Sequence, residues 1–160
     1  MSERETDYMP EIMMDIRRLY ESLQKFDMIA ADALGLNLTD LRGVNILGDG
    51  PLTPKEIGQR LGLTSGSVTT LIDRLERVNA VDRQPVNDRR SIHVVLKPEF
   101  YDRARDVYRH LGESIANEMK NAGLLEDRST RRMSATLLSG VERAVTNLRG
   151  GDHTSSREKH

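Results

Sequence analysis

Seven polar side chains, Ser65, Ser67, Thr69, Thr70, Asp73, Arg74 and Arg77, share one face of a short helical pattern. Its other face carries Val68, Leu71, Ile72, Leu75 and Val78 at helical spacing. Short hydroxyl side chains near the helix start allow close approach to base edges, and the guanidinium groups further along suit phosphates or a guanine edge. This is the chemistry of a helix entering a DNA major groove; a plainly solvated helix face is the bland alternative. A second basic group, Asp88-Arg89-Arg90, stands between two strand patterns. A guanidinium pair on a projecting ribbon suits phosphates or a narrow, electronegative minor groove.

The elements that must position these groups can be read locally. Thr53-Pro54-Lys55-Glu56 is a helix start with a cap, a proline at the first position and an acid placed to complete a capping box. Ile57 and Leu61 follow one turn apart, and Gly62 can end the helix in the left-handed conformation. The turn Gly62-Leu63-Thr64 has the length of a helix-turn-helix connection, with Thr64 able to cap the second helix. Val81 to Gln84 then reads as a strand, Pro85 to Asp88 as a turn, and Ser91 to Leu96 as a strand with Ile92, Val94 and Leu96 on one face. A helix-turn-helix followed by such a hairpin is a winged helix.

These residues resemble the MarR-type (multiple antibiotic resistance regulator) family of transcription factors. The family's recognition helix ending in Asp-Arg-Leu-Glu stands here as Asp73-Arg74-Leu75-Glu76, and its wing motif as Asp88-Arg89-Arg90, at matching separation. The resemblance covers roughly residues 10 to 148. Where the family commonly has Gly-Leu-Val this chain has Asn79-Ala80-Val81, and where it has Leu-Thr this chain has Leu96-Lys97. Asn tolerates the left-handed conformation and Lys97 before Pro98 still permits a helix start, so neither departure breaks the pattern. By resemblance, Ser65, Ser67, Thr69, Thr70, Arg74, Arg77, Arg89 and Arg90 contact DNA, while Asp73 and Asp88 position the wing. Asp73 is implied to pair with a wing arginine, Arg90 or, with the roles exchanged, Arg89.

The flanking sequence predicts long helices. Ile12, Ile16, Leu19, Leu23, Phe26 and Ala30 recur every three or four residues between Pro10 and Leu34, ending at Gly35. Asn37 or Thr39 can cap a second helix bearing Leu41, Val44 and Leu47; Gly48-Asp49-Gly50-Pro51 then reads as a turn, since the Lys-Ser/Thr of a phosphate loop is missing. Phe100, Ala104, Val107, Tyr108, Leu111, Ile115 and Met119 mark another long helix, interrupted at Asn121 to Gly123. Ser129 can cap a last one with Met133, Leu137, Leu138, Val141, Val145 and Leu148. Three such stripes exceed what one small winged helix can bury, so a homodimer presenting two recognition helices is expected. The expected fold is mainly α with a small β-hairpin wing. Residues 10–149 form one domain, with a 37–97 winged-helix lobe and dimerisation helices at 10–34 and 98–149. Residues 1–9 are expected to be flexible and 150–160 disordered.

Composition narrows the function classes. The chain of 160 residues has a formal net charge of −1 and no cysteine, which excludes disulfides and thiolate metal sites. Seven Lys or Arg against five Asp or Glu between residues 54 and 93 give a net +2, against −3 for the remainder. Binding to DNA should still weaken with salt as phosphate contacts displace counterions. His93, His110, His153 and His160 form no ligand spacing, and no nucleophile-base set stands out, so neither a metal, a cofactor nor enzymatic activity is expected. With no leader-like or bilayer-length apolar run, a cytoplasmic location is expected and no membrane partner. The resemblance further implies a small aromatic or anionic effector in a crevice between the dimerisation helices and the winged-helix core, where Tyr8, Met13, Met14, Arg17 and Tyr20 are candidate lining residues, a plain core stripe being the bland alternative. The reading is therefore a DNA-binding repressor of a pseudo-palindromic operator. A helical protein-interaction module without specific DNA binding is the alternative.

Overall fold

A computed structural model describes residues 8–85 and 92–151, with side chains to 148. Eight elements follow in order: α1 (Met9–Leu34), α2 (Leu38–Leu47), α3 (Pro54–Leu61), α4 (Ser65–Arg77), β1 (Val81–Pro85), β2 (Ile92–Leu96), α5 (Pro98–Asn121) and α6 (Arg128–Gly151). The chain divides within α5 into two compact units, Met1–His110 and Leu111–His160.

In the first unit, local signals set the boundaries. Gly35 ends α1 at φ 70°, and its neighbour's N–H, that of Leu36, donates to the Ala31 carbonyl at 2.8 Å. Asn37, rather than Thr39, caps α2, its Oδ1 accepting from the Asp40 N–H at 2.9 Å. The Thr53 and Glu56 capping box at α3 is complete, and Gly62 closes that helix at φ 68°. Thr64 caps α4. Asn79, at φ 60°, takes the left-handed position after α4, as its amide side chain allows.

The wing strands pair antiparallel from Val81 opposite Leu96 to Pro85 opposite Ile92. Leu52 adds a single bridge to Val94, with N–H to carbonyl distances of 3.2 and 2.8 Å. The core gathers Ala30, Ala31 and Leu34 of α1, Leu41, Val44 and Leu47 of α2, and Ile57 of α3. Val68, Leu71, Ile72 and Leu75 of α4 join them with Val81, Val94, Phe100 and Ala104. Gly43 lets α2 and α4 approach closely: a Cβ there would lie 3.2 Å from Leu71 Cδ2. Along α1 the apolar stripe joins the core from Phe26 onward; before it Ile12, Leu19 and Leu23 are exposed and Ile16 is half-buried.

In the second unit, Gly123 at φ 70° turns the chain between helices. Ser129 was the expected cap of the last helix, but Asp127 holds that place, its carboxylate accepting from the Ser129 N–H at 2.8 Å and hydroxyl at 2.7 Å. These hydrogen bonds keep the Asp127 carboxyl below its usual range. Met133, Leu137, Leu138, Val141, Val145 and Leu148 form the expected stripe on α6, and every one is exposed.

Candidate nucleic-acid interface

The core packing of Val68, Leu71, Ile72 and Leu75 turns the opposite face of α4 outward. There Ser65, Ser67, Thr69, Thr70, Asp73 and Arg77 are exposed. The hydroxyls are locally ordered. Thr69 Oγ1 donates to the Ser65 carbonyl at 3.1 Å and Thr70 Oγ1 to the Gly66 carbonyl at 3.0 Å, while Thr64 and Ser67 hydroxyls lie 3.0 Å apart. Each threonine therefore offers an acceptor lone pair and a methyl group outward. Ser65 and Thr69 also edge a groove of about 580 Å³ shared with Lys55 and Gln59 of α3.

Arg74, expected on DNA, is half-buried and paired with α2. Its Nε lies 2.9 Å from Asp40 Oδ2 and its Nη2 2.6 Å from Asp40 Oδ1, a forked pair with α2. The Asp40 side chain is 5% exposed and that of Arg74 35%. The reason is positional: Arg74 flanks the buried Leu71 and Leu75, on the side that meets α2. The hydrogen bonds to Asp40 raise the Arg74 guanidinium further above its already high range. Burying a carboxylate without such a partner is costly, so the two side chains hold each other in place.

Asp73 was expected to pair with Arg90 or Arg89, which lie outside the described residues; among the described residues its partner is Arg83. Arg83, on β1, donates through Nη2 to Asp73 Oδ1 and lies with Nη1 3.2 Å from Glu76 Oε2. Asp73 and Glu76 are one turn apart on α4, and the strand that follows brings one guanidinium to both. The tie fixes the root of the wing to α4. Lys97 secures the other strand's end, with Nζ 3.0 Å from Asp82 Oδ1 and 2.6 Å from Asn79 Oδ1. Asp88, Arg89 and Arg90 lie outside the described residues.

The sequence marked none of Asp40, Arg83, Glu76 and Lys97 as pairing residues. A signal was available for Arg83 alone, in the acids at positions 73 and 76 facing a basic strand residue.

The expected effector residues are exposed, Tyr8 just before α1 and Met13, Met14, Arg17 and Tyr20 on it, with Arg17 Nε 3.3 Å from Glu21. A separate cleft of about 390 Å³ in the first unit is lined by Val44, Asn45, Tyr101, Arg105 and Tyr108 among others. There Asn45 donates to the Tyr108 hydroxyl at 2.9 Å, which in turn donates to Asp27 Oδ1 at 3.2 Å. Burial pushes the Tyr108 phenol up. Among the described residues no cluster of His, Asp and Glu is placed to hold a metal ion, and no helix is long and apolar enough to cross a membrane.

Known proteins resemble this lobe. Residues 34–91 match the MarR family, the stretch from the end of α1 to the start of β2. The winged-helix lobe is similar to that family. Over 100 residues the chain is 42% identical to the HTH-type transcriptional regulator YcgE of Bacillus subtilis (strain 168), covering 61% of this chain. The match spans 65% of that relative's length. The MarR-type fold extends beyond the lobe. A MarR family protein from Bacillus stearothermophilus superposes with a TM-score of 0.65 at 19% identity, covering 91% of this chain and 99% of that one. YusO from Bacillus subtilis gives 0.59 at 21% identity, with 90% and 99% covered. A multiple antibiotic-resistance repressor from Listeria monocytogenes gives 0.60 at 15%, with 89% and 99% covered. The fold expected from the sequence, mainly α with a two-stranded wing and long terminal helices, is the fold observed.

Proposed function

We propose that the chain is a sequence-specific transcriptional regulator that binds double-stranded DNA through α4, acting in the cytoplasm as a homodimeric repressor of a pseudo-palindromic operator. The observation that carries this reading is the outward face of α4. It presents ordered hydroxyls and Arg77 on a MarR-family helix-turn-helix whose wing root is tied to the same helix. Ser65, Ser67, Thr69, Thr70 and Arg77 meet bases or phosphates, and Arg89 and Arg90 meet phosphates or the minor groove. Asp73 holds the wing through Arg83. Residues 10–34 and 98–149 serve as dimerisation helices, a role supported by the exposed apolar residues of α1 and α6. A small aromatic or anionic ligand, at Tyr8, Met13, Met14, Arg17 and Tyr20, shifts the dimer towards an unsuitable half-site spacing.

Binding of the purified chain to a palindromic promoter fragment, measured across salt concentration against a scrambled duplex, tests the reading. Nanomolar binding that prefers the palindrome and weakens with salt supports it. Equal or absent binding to both duplexes, with capture of a protein partner instead, supports an interaction module. For the ligand, thermal stabilisation by phenolic acids that disappears in Arg17→Ala is expected; stabilisation unchanged in that variant overturns the assignment.

A further inference from the structure

We infer that Asp40 and Arg74 are a positioning pair, which sets the rotation and register of α4 against α2 and thereby operator affinity, without either side chain touching DNA. The inference rests on the DNA-binding reading above.

Asp40 is the one charged side chain in the core among the described residues. Its acceptors are fully used: Oδ1 receives Arg74 Nε at 3.2 Å and Nη2 at 2.6 Å, and Oδ2 receives Arg74 Nε at 2.9 Å and Asn37 Nδ2 at 2.8 Å. The carboxylate also stands in the first turn of α2, where the helix dipole favours a negative charge. So the cage around Asp40 is built from the α2 cap on one side and from α4 on the other.

A charged pair in a core is an expensive way to gain stability, because apolar side chains of similar size often serve as well. Direction is what the pair adds. Contacts of Leu71 and Leu75 against the Gly43 side of α2 allow a helix to slide or roll, whereas a planar guanidinium on a carboxylate accepts a narrow range of poses. Asp73 and Arg74, about 100° apart around the helix, tether α4 on two flanks, to β1 and to α2. Thr69 and Thr70 lie one turn earlier on the same two stripes. Side-chain atoms lie roughly 6 Å from the helix axis, so a 20° roll, taken as an order-of-magnitude case, moves them by about 2 Å. That is enough to lose a base-edge hydrogen bond.

The competing possibility is that Arg74 reads DNA with the guanidinium edge left exposed. Salt dependence separates the two. The probe is the duplex that the wild-type chain itself enriches from a random pool, compared with a random duplex of the same length. Arg74→Lys keeps the charge and loses the fork. Its operator affinity should fall about tenfold, while random-duplex affinity and the slope of log affinity against log salt stay at wild-type values. Asp40→Asn should behave alike.

The double variant Asp40→Leu with Arg74→Met controls for folding, since it replaces the pair by apolar packing. It should melt like the wild type and still lose operator preference. Three results would overturn the inference: wild-type operator preference in the double variant, wild-type operator affinity in Arg74→Lys, or a slope on both duplexes flattened by about one unit in Arg74→Met, the sign of a phosphate contact. Failure of the wild-type chain to enrich any duplex marks instead the failure of the DNA-binding reading.

Discussion

Helices α4 and α6 carry the same kind of apolar stripe and meet opposite fates. On α4, Val68, Leu71, Ile72 and Leu75 are at most 2% exposed, while on α6 every member of the stripe is at least 41% exposed. Periodicity reports which face of a helix is apolar and says nothing of what covers it. In α4 the cover is the rest of the winged-helix lobe. On the proposed reading the cover of α6 is a second copy of the chain, a partner that one sequence cannot display.

That contrast can be attacked from both ends. Leu71 is fully buried, and Leu71→Ala should destabilise the lobe by about 2–5 kcal/mol in chemical denaturation. Loss below about 1 kcal/mol would mean that the α4 core is looser than its burial indicates. Leu138→Glu with Val141→Glu on α6 should instead leave a folded chain that sediments as a monomer and has lost cooperative binding to paired half-sites. An unchanged sedimentation coefficient would remove α6 from the dimer interface.

Smaller effects concern how the reader is held. Asp73→Ala should weaken DNA binding about three- to tenfold although it deletes a negative charge, because Arg83 then keeps only Glu76 and holds the wing root less firmly. Tighter binding by this variant would show that Asp73 acts on DNA only as a repelling charge. The smallest effect is expected at the α3 cap, where Thr53→Ala should cost about 1 kcal/mol of thermal stability. The Glu56 carboxyl in that cap is held below its ordinary 4.5 by hydrogen bonds from the Thr53 N–H and hydroxyl. Its contribution is present above pH 4.5 and fades as pH falls through the lowered value, so Glu56→Gln should flatten the acid side of the stability profile.

What could be read from the chain alone follows from how local each signal is. Thr53, Gly62, Thr64 and Asn79 act within a few residues of themselves, and each took its expected place. Helical spacing puts Arg74 near the polar face of α4 and does not display its pairing with α2. Its partner Asp40 lies 34 residues away, and an acid three residues after Asn37 reads as an ordinary first-turn residue. Arg83 had a signal in the acids at 73 and 76, but the outward positions of a strand look solvated until the neighbouring helix is placed. Asp127 took the cap from Ser129 because both residue types are good caps and only geometry chooses. The α1 residues offered for an effector carry a pattern shared by core, interface and pocket alike.

Enrichment of bound duplexes from a random pool by the full chain tests most directly whether two copies of α4 read DNA together. The expected product is a pseudo-palindrome whose half-sites lie about 10 base pairs apart, centre to centre, with enrichment lost in Thr69→Ala and Thr70→Ala. Enrichment of unpaired half-sites, or of no sequence at all, would contradict it.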